Sequence, residues 1–187
     1  IYAALNFPGV ISQISEIDLT TGKIRKLAQL DSPSLYYSTH LAYDAERNRI
    51  FISEQNGSFR SLVQVDGKTG RKKTLIRFSR TGDLAFNPKD RSIWGVKNDN
   101  GYSILVKIPE PYTKVIPMFS ADFGKSFFDL AISHNGEMIS ASLSGVRGEQ
   151  SLVLFSVDEL DGGGKKFKTV YELEDNTLAQ FKFSPDD

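Results

Sequence analysis

The chain has 187 residues, 40% of them hydrophobic and 25% charged, and its formal net charge at pH 7 is zero. This length suffices for one domain with a sizeable core. Nucleic-acid binders normally carry a basic excess, because neutralising phosphates supplies much of their affinity, so the balanced charge argues against a nucleic-acid partner. The absence of cysteine excludes disulfides and thiolate metal sites. No apolar run approaches the ~18 residues of a membrane-spanning helix.

Three strands are predicted at the beginning of the chain, near residues 1–5, 12–18 and 23–30. The second and third are joined by a segment from Asp18 to Gly22 that is typical of a tight turn, with a glycine able to take a positive φ. These three strands lack the strand that opens each later repeat. They therefore correspond to strands b, c and d of an incomplete blade whose strands are labelled a to d.

Three complete repeats are predicted next, at residues 39–78, 82–119 and 127–173. Each opens with an apolar strand a, continues through a polar corner into strand b, and successive copies lie roughly 45 residues apart, close to the length of a four-stranded propeller blade. Strand a ends in a residue whose side chain can cap its own turn, namely Asp44, Asn87 or Ser133. No stretch shows sustained helical periodicity. The sequence predicts an all-β protein.

The strands c and d are joined differently in successive repeats. The tight turn of residues 18–22 returns at 66–70, while 108–112 and 157–165 take the same place in the last two repeats. The segment 157–165 contains Gly162-Gly163-Gly164 and is predicted as a turn.

A lone inner strand is predicted at residues 178–184, after the last complete blade. One alternative is that it pairs with the three N-terminal strands and closes a ring of four blades. The other is that the chain is part of a longer propeller, which we favour because a strand without a neighbour exposes an edge. The predicted fold is a β-propeller of four-stranded antiparallel blades, with about four blade equivalents in the chain.

The corners between strands a and b resemble a known family. Residues 183–186, 86–90 and 132–136 are similar to the Phe-Ser-Pro-Asp-Gly corner of WD40-like propellers of the TolB type, which also occurs in the propellers of prolyl oligopeptidase, dipeptidyl peptidase and tricorn-like peptidases. The corner at 44–46 departs from it by lacking the proline, and Asp187 stands in place of the glycine. The resemblance implies either a propeller that binds protein partners in the bacterial periplasm or one that gates a separate hydrolase domain.

Catalytic and cofactor motifs are not evident. The segment Ala141 to Gly145 lacks the first glycine of a Gly-x-Ser-x-Gly elbow. His40 and His134 are the two histidines, too few for a zinc site built on histidine. No glycine-rich phosphate loop precedes a helix. We therefore predict no catalytic residue, metal or cofactor; the open alternative is a carboxylate Ca²⁺ site on the loop residues Asp99, Asp122 and Glu149, which no EF-hand spacing supports.

Polar residues stand immediately before the first apolar residue of each predicted strand a. If strand a is innermost, these residues form a polar ring near the channel mouth that could bind a cation, an amine or a peptide N-terminus. Alternatively, each side chain caps backbone N–H groups where its strand begins. The residues are His40, Asp83, Asp129 and Gln180.

The loops joining d to a and b to c are long and aromatic, and they include Phe123 and Val146. Aromatic residues and arginine on loops of a rigid scaffold often anchor protein interfaces. The leading hypothesis is a non-catalytic module that binds a protein or peptide; the alternatives are a gating domain of a serine peptidase and a small-molecule enzyme using Asp83 and Asp129. The residues favoured for binding are Tyr36, Tyr37, Arg60 and Arg147.

Overall fold

The computed structural model describes residues 1–5, 11–30, 40–56, 59–173, 178–179 and 181–186. These residues form fifteen strands and one short helix, which confirms the all-β prediction. The chain divides into two compact units, Ile1–Gly82 and Asp83–Asp187.

The first unit contains two antiparallel sheets whose strands lie side by side in chain order. The first sheet has three strands in the described residues, and the second has four. Their bounds are β1 (Tyr2–Leu5), β2 (Gln13–Ile17), β3 (Ile24–Gln29), β4 (Leu41–Asp44), β5 (Arg49–Asn56), β6 (Phe59–Asp66) and β7 (Lys72–Ile76).

The second unit contains two four-stranded antiparallel sheets, again with their strands in chain order. The boundary between the units falls inside the first strand, β8. The bounds are β8 (Thr81–Phe86), β9 (Ile93–Asp99), β10 (Tyr102–Ile108), β11 (Ile116–Ser120), β12 (Ser126–Ile132), β13 (Met138–Ser144), β14 (Gln150–Ser156) and β15 (Lys168–Leu173).

Two predictions about the last repeat differ from the structure. The segment predicted as a turn at 157–165 begins with a helix, α1 (Val157–Asp161), which the Ser156 hydroxyl caps by accepting a hydrogen bond from the backbone N–H of Glu159. The described residues within 178–184 have no strand assignment. Leu178 there bonds to side chains instead, donating its N–H to Gln150 Oε1 and accepting from the Ser142 hydroxyl.

The corner residues cap their turns as the sequence predicts. Each side-chain oxygen accepts a backbone N–H from a residue two to five positions later, so the reversal from strand a to strand b is fixed locally. The hydrogen bonds join Arg47 N to Asp44 Oδ1 (3.3 Å), Lys89 N to Asn87 Oδ1 (2.8 Å) and Met138 N to Ser133 Oγ (2.9 Å).

The repeated tight turns are organised by Asp18 and Asp66. In each turn the carboxylate accepts hydrogen bonds from the backbone N–H and the hydroxyl of a threonine three residues later, Thr21 or Thr69. These hydrogen bonds favour the ionised carboxylate, so they hold the pKa of both aspartates below the ordinary value. Their contribution to stability is therefore lost as the pH falls through these lowered pKa values.

Gly22 and Gly70 end the two equivalent turns, both with positive φ, at 69° and 72°. They differ in surroundings, because a Cβ on Gly70 would collide with the backbone carbonyl oxygen of Leu27, whereas a Cβ on Gly22 would meet nothing within 4 Å. Gly70 therefore allows the second sheet to approach the first at β3.

Gly22→Ala is expected to lower the unfolding free energy by about 1 kcal/mol, because the new Cβ disfavours the left-handed backbone conformation but meets no neighbouring atom. Gly70→Ala must also displace the Leu27 carbonyl and is expected to cost about 2–4 kcal/mol. Urea unfolding of the two variants measures the difference. Equal losses would contradict the close approach at Gly70.

The central strands are buried on both faces. Side chains alternate between the two faces of a strand, yet Ile50, Phe51 and Ile52 are each at most 1% exposed, and residues 139–143 of β13 are all buried. By contrast, five of the six residues of the outermost strand β15 are exposed. The sheet faces are therefore occupied by packing, which leaves the loops and outer edges available for recognition.

Lys107 fixes α1 to the neighbouring sheet of the second unit. Its ammonium lies 2.8 Å from Asp90 and 2.6 Å from Asp161, and 5.4 Å from the centroid of the Trp94 ring. Burial disfavours the charged amine, but the hydrogen bonds that Lys107 donates to Asp161 and Asp90 outweigh it and raise the pKa of Lys107 above its ordinary value. The ammonium therefore holds two carboxylates that would otherwise face each other.

Lys107→Met keeps the length of the side chain but removes the charge between Asp90 and Asp161. We expect a loss of about 2 kcal/mol in unfolding free energy, between the values typical of exposed and buried ion pairs. The control is Lys125→Met, whose exposed partner Asp122 lies 3.1 Å away, and which should lose less than about 0.5 kcal/mol. Similar losses in urea unfolding would show that Lys107 is an ordinary surface lysine.

Candidate functional site

The sequence-predicted residues fall into three groups in the structure. Tyr36, Tyr37 and Gln180 lie outside the described residues. His40 and Arg60 belong to the first unit. The second unit contains Asp83, Asp129 and Arg147.

His40 and Arg60 meet at Gly82. A Cβ on Gly82 would collide with Nη1 of Arg60 and would lie 3.9 Å from Cδ2 of His40. The sequence analysis had placed these two residues in different groups, one in the polar ring and the other among the loop residues. The structure brings both to the point where β8 begins.

The segment before β8 is a strained loop tied to Arg60. Phe78 and Arg80 have positive φ angles of 56° and 53°, a conformation that costs a non-glycine residue about 1 kcal/mol or more. The Arg80 N–H and the Ser79 hydroxyl both donate to the Arg60 carbonyl, at 3.1 and 3.3 Å. Phe78 is 62% exposed. This end of the first unit therefore presents arginines, a histidine and an exposed ring.

Asp83 and Asp129 occupy equivalent strained positions in the second unit. Their φ angles are 47° and 52°, and Asp129 lies where the pairing of β12 with β13 shifts register between Phe128 and Ala131. Such a bulge re-aims a side chain relative to its neighbours in the strand. Both aspartates make further interactions within the protein.

Three exposed side chains form what we call the apolar loop patch: Tyr102, Phe123 and Val146. They are 44%, 71% and 78% exposed. The rings of Tyr102 and Phe123 meet edge to face with centroids 5.5 Å apart, and a Cβ on Gly124 would lie 3.4 Å from Cγ1 of Val146. The first residue of β10 and residues of two loops thus lie close together at one end of the second unit.

Short-range contacts fix the loops that present the patch. Glu149 accepts the Arg147 N–H at 2.9 Å through its carboxylate, and its carbonyl accepts the Gly145 N–H at 2.8 Å. Lys125 bonds to the Asp122 carboxylate at 3.1 Å. Arg147, one of the residues favoured from the sequence, therefore lies beside Val146 in a tightly bonded turn.

Tyr102 was missed in the sequence analysis. It is the first residue of β10, directly after the turn formed by Asn100 and Gly101, and its pattern is that of an ordinary strand residue. The sequence offered one indication of this site, the aromatic residue Phe123 in a predicted loop. Its ring contacts the ring of Tyr102, although the two residues are 21 positions apart in the sequence.

Within the described residues, no group of three or more histidines, cysteines, aspartates or glutamates is arranged to hold a metal ion. No helix among them is long and apolar enough to cross a membrane.

Comparison with known proteins identifies the fold. A protein named as a TolB from Agrobacterium tumefaciens superposes with a TM-score of 0.73 at 13% identity, over 92% of this chain and 61% of that one. TolB from Acinetobacter baumannii gives 0.69 at 10% identity, over 85% and 37%. The chain has a TolB-like β-propeller fold. It spans less than two thirds of the length of either TolB chain.

The same fold occurs in an enzyme. Oligogalacturonate lyase from Vibrio parahaemolyticus superposes with a TM-score of 0.56 at 9% identity, over 84% of this chain and 46% of that one. Neither a protein-family model nor a curated protein sequence matches the chain. At these identities the likeness shows the fold alone, and function has to be argued from the residues of this chain.

Gly82→Ala is expected to move Arg60 without unfolding the chain. The new Cβ meets the flexible end of a side chain rather than backbone, so the loss of unfolding free energy should stay below about 1 kcal/mol. The Arg60 Nε–Hε resonance, assigned with Arg60→Ala, should shift in the NMR spectrum. An unchanged resonance would contradict the placement of Arg60 over Gly82.

Proposed function

We propose that this chain is a non-catalytic binding module that holds a protein or peptide on the loops of its TolB-like blades. The observation that supports this proposal is the apolar loop patch. Two aromatic rings and a valine are exposed together, on two loops and at the first residue of β10, and a rigid β scaffold with such exposed side chains is the setting in which interface anchors are found.

The size of the patch fits a moderate affinity. Burying a large apolar side chain contributes roughly 1.5–3 kcal/mol, and association costs several kcal/mol in lost freedom of motion. After that cost, three such side chains leave no more than roughly 5 of the ~8 kcal/mol of a micromolar complex, so flanking contacts must supply the rest. Arg147, beside Val146, is proposed as a flanking contact. Tyr36, Tyr37 and Arg60 are proposed as contacts of the equivalent loops in the first unit.

Binding rather than catalysis is proposed for the chain because its sequence has no nucleophile elbow or cofactor motif. The resemblance of its corners to TolB-type propellers supports a protein partner and an extracytoplasmic compartment such as the periplasm. The fold itself is compatible with binding and with catalysis, since the enzyme oligogalacturonate lyase has a similar fold.

The proposal can be tested with a phage-displayed library of random peptides panned on the purified chain. An enriched peptide should bind with a dissociation constant on the order of micromolar in fluorescence polarisation. Phe123→Ala and Val146→Ser should each weaken that binding by roughly tenfold, because each removes an anchor from the patch.

Tyr171→Ala and Val170→Ser are matched controls on the outer strand β15, where these side chains are 56% and 48% exposed. They remove similar apolar area and should change the affinity less than about twofold. Equal losses in patch and control variants would contradict the proposed surface. Cleavage of the bound peptide by the chain, detected by mass spectrometry, would contradict the non-catalytic assignment.

A further inference from the structure

The connection between β14 and β15 is longer than its counterparts in the first unit. There, strands c and d are joined by tight turns that end at Gly22 and Gly70. In the last blade the connection runs through α1 and Gly162 to Gly164 and then reaches Phe167, directly before β15. The glycine run that the sequence analysis noted thus belongs to an insertion in a repeated structure.

The insertion closes a surface pocket against β13 and β14, with a volume of about 300 Å³. This volume lies at the lower end of the range for small-molecule sites. The pocket is lined by Met138, Leu154, Ser156, Glu159, Lys166, Phe167 and Lys168.

Backbone hydrogen bonds within the insertion define the shape of the pocket. Gly164 donates its N–H to the carbonyl of Glu159 at 2.7 Å, and Gly163 donates to the carbonyl of Leu160 at 3.0 Å. A Cβ on Gly164 would lie only 2.8 Å from the Glu159 carbonyl oxygen. The chain therefore folds back closely on α1 before it enters the pocket wall.

The apolar part of the pocket is anchored in the core. The Phe167 ring packs against Phe155 and Phe119, with centroid separations of 5.6 and 5.7 Å. Phe155 is fully buried, whereas Phe167 remains 38% exposed. Together with Met138 and Leu154, the exposed part of this ring offers a hydrocarbon surface to a ligand.

The charged part of the pocket is predominantly cationic. Two acids of α1 lie near lysines of the neighbouring sheet: Asp161 is 2.6 Å from Lys107, and Asp158 is 3.9 Å from Lys89. That leaves Glu159 as the one acid of the pocket lining, against two lysines, Lys166 and Lys168.

Lys166 and Lys168 have no ion-pair partner among the residues that the structure describes. A carboxylate is a natural counterion for two lysines that line the same pocket. Hydrocarbon attached to that carboxylate would lie on Met138, Leu154 and Phe167.

We propose that this pocket binds a small amphipathic carboxylate, with its charged group at Lys166 and Lys168 and its hydrocarbon part on Met138, Leu154 and Phe167. The site lies in the insertion of the last blade and is independent of the apolar loop patch. A failure of this proposal therefore leaves the proposed function untouched.

The two methionines of the chain allow a direct test. With ¹³C-methyl methionine labelling, Met138 reports on the pocket, and Met118, which packs against the core of the second unit, serves as the internal reference. Titration with octanoate should shift the Met138 methyl signal saturably and leave the Met118 signal nearly unchanged. A non-saturating shift, or equal shifts of both signals, would overturn the proposal.

The contribution of the charge is tested with 1-octanol, which has the same tail but no carboxylate. Octanol should bind roughly fivefold more weakly than octanoate, and the double variant Lys166→Gln/Lys168→Gln should weaken octanoate by a similar factor. Lys165→Gln, adjacent to the pocket lining, is the matched control and should change the affinity less than about twofold. Equal affinities for octanol and octanoate, or for the double variant and the control, would overturn the assignment of the charged end.

Discussion

Burial of both faces of the central strands determines where this protein can recognise another molecule. In β5 and β13, successive side chains point to opposite faces and are still buried, so neither sheet face is open to a ligand. From the central strands towards the last strand of each sheet exposure increases, and β11 and β15 carry only exposed or half-buried side chains. Recognition is therefore restricted to the loops, the ends of the inner strands and the outer edges.

The two surfaces proposed for binding lie where the chain departs from the plain repeat. The apolar loop patch is formed by loops whose exposed Phe123 and Val146 contribute nothing to a core. The pocket lined by Lys166 and Lys168 is formed by an insertion, in which α1 and a glycine run replace a five-residue turn. Positive φ at Asp83 and Asp129 marks a third departure, inside the strands β8 and β12, and backbone strain in a folded protein often accompanies function.

The parts of the fold that depend on neighbouring residues could be predicted from the sequence. The caps at Asp44, Asn87 and Ser133 follow from local hydrogen bonding, and the order of strands follows from repetition. The meeting of His40 with Arg60 could not be predicted, because it requires the relative positions of three strands. The helix α1 was missed for another reason: five residues are too short to show helical periodicity, and the glycines after it are typical of a turn. The strand predicted at 178–184 was based only on continuing the repeat, and the described residues of this segment have no strand assignment.

The claim that burial increases from the outer to the central strands can be measured by hydrogen–deuterium exchange of the backbone amides. Amides of β9 and β13 should exchange at least roughly tenfold more slowly than those of β11 and β15, because the inner pairs have neighbours on both sides and open only with larger parts of the structure. Equal protection across each sheet, or faster exchange in β9 and β13 than in the outer strands, would contradict the account.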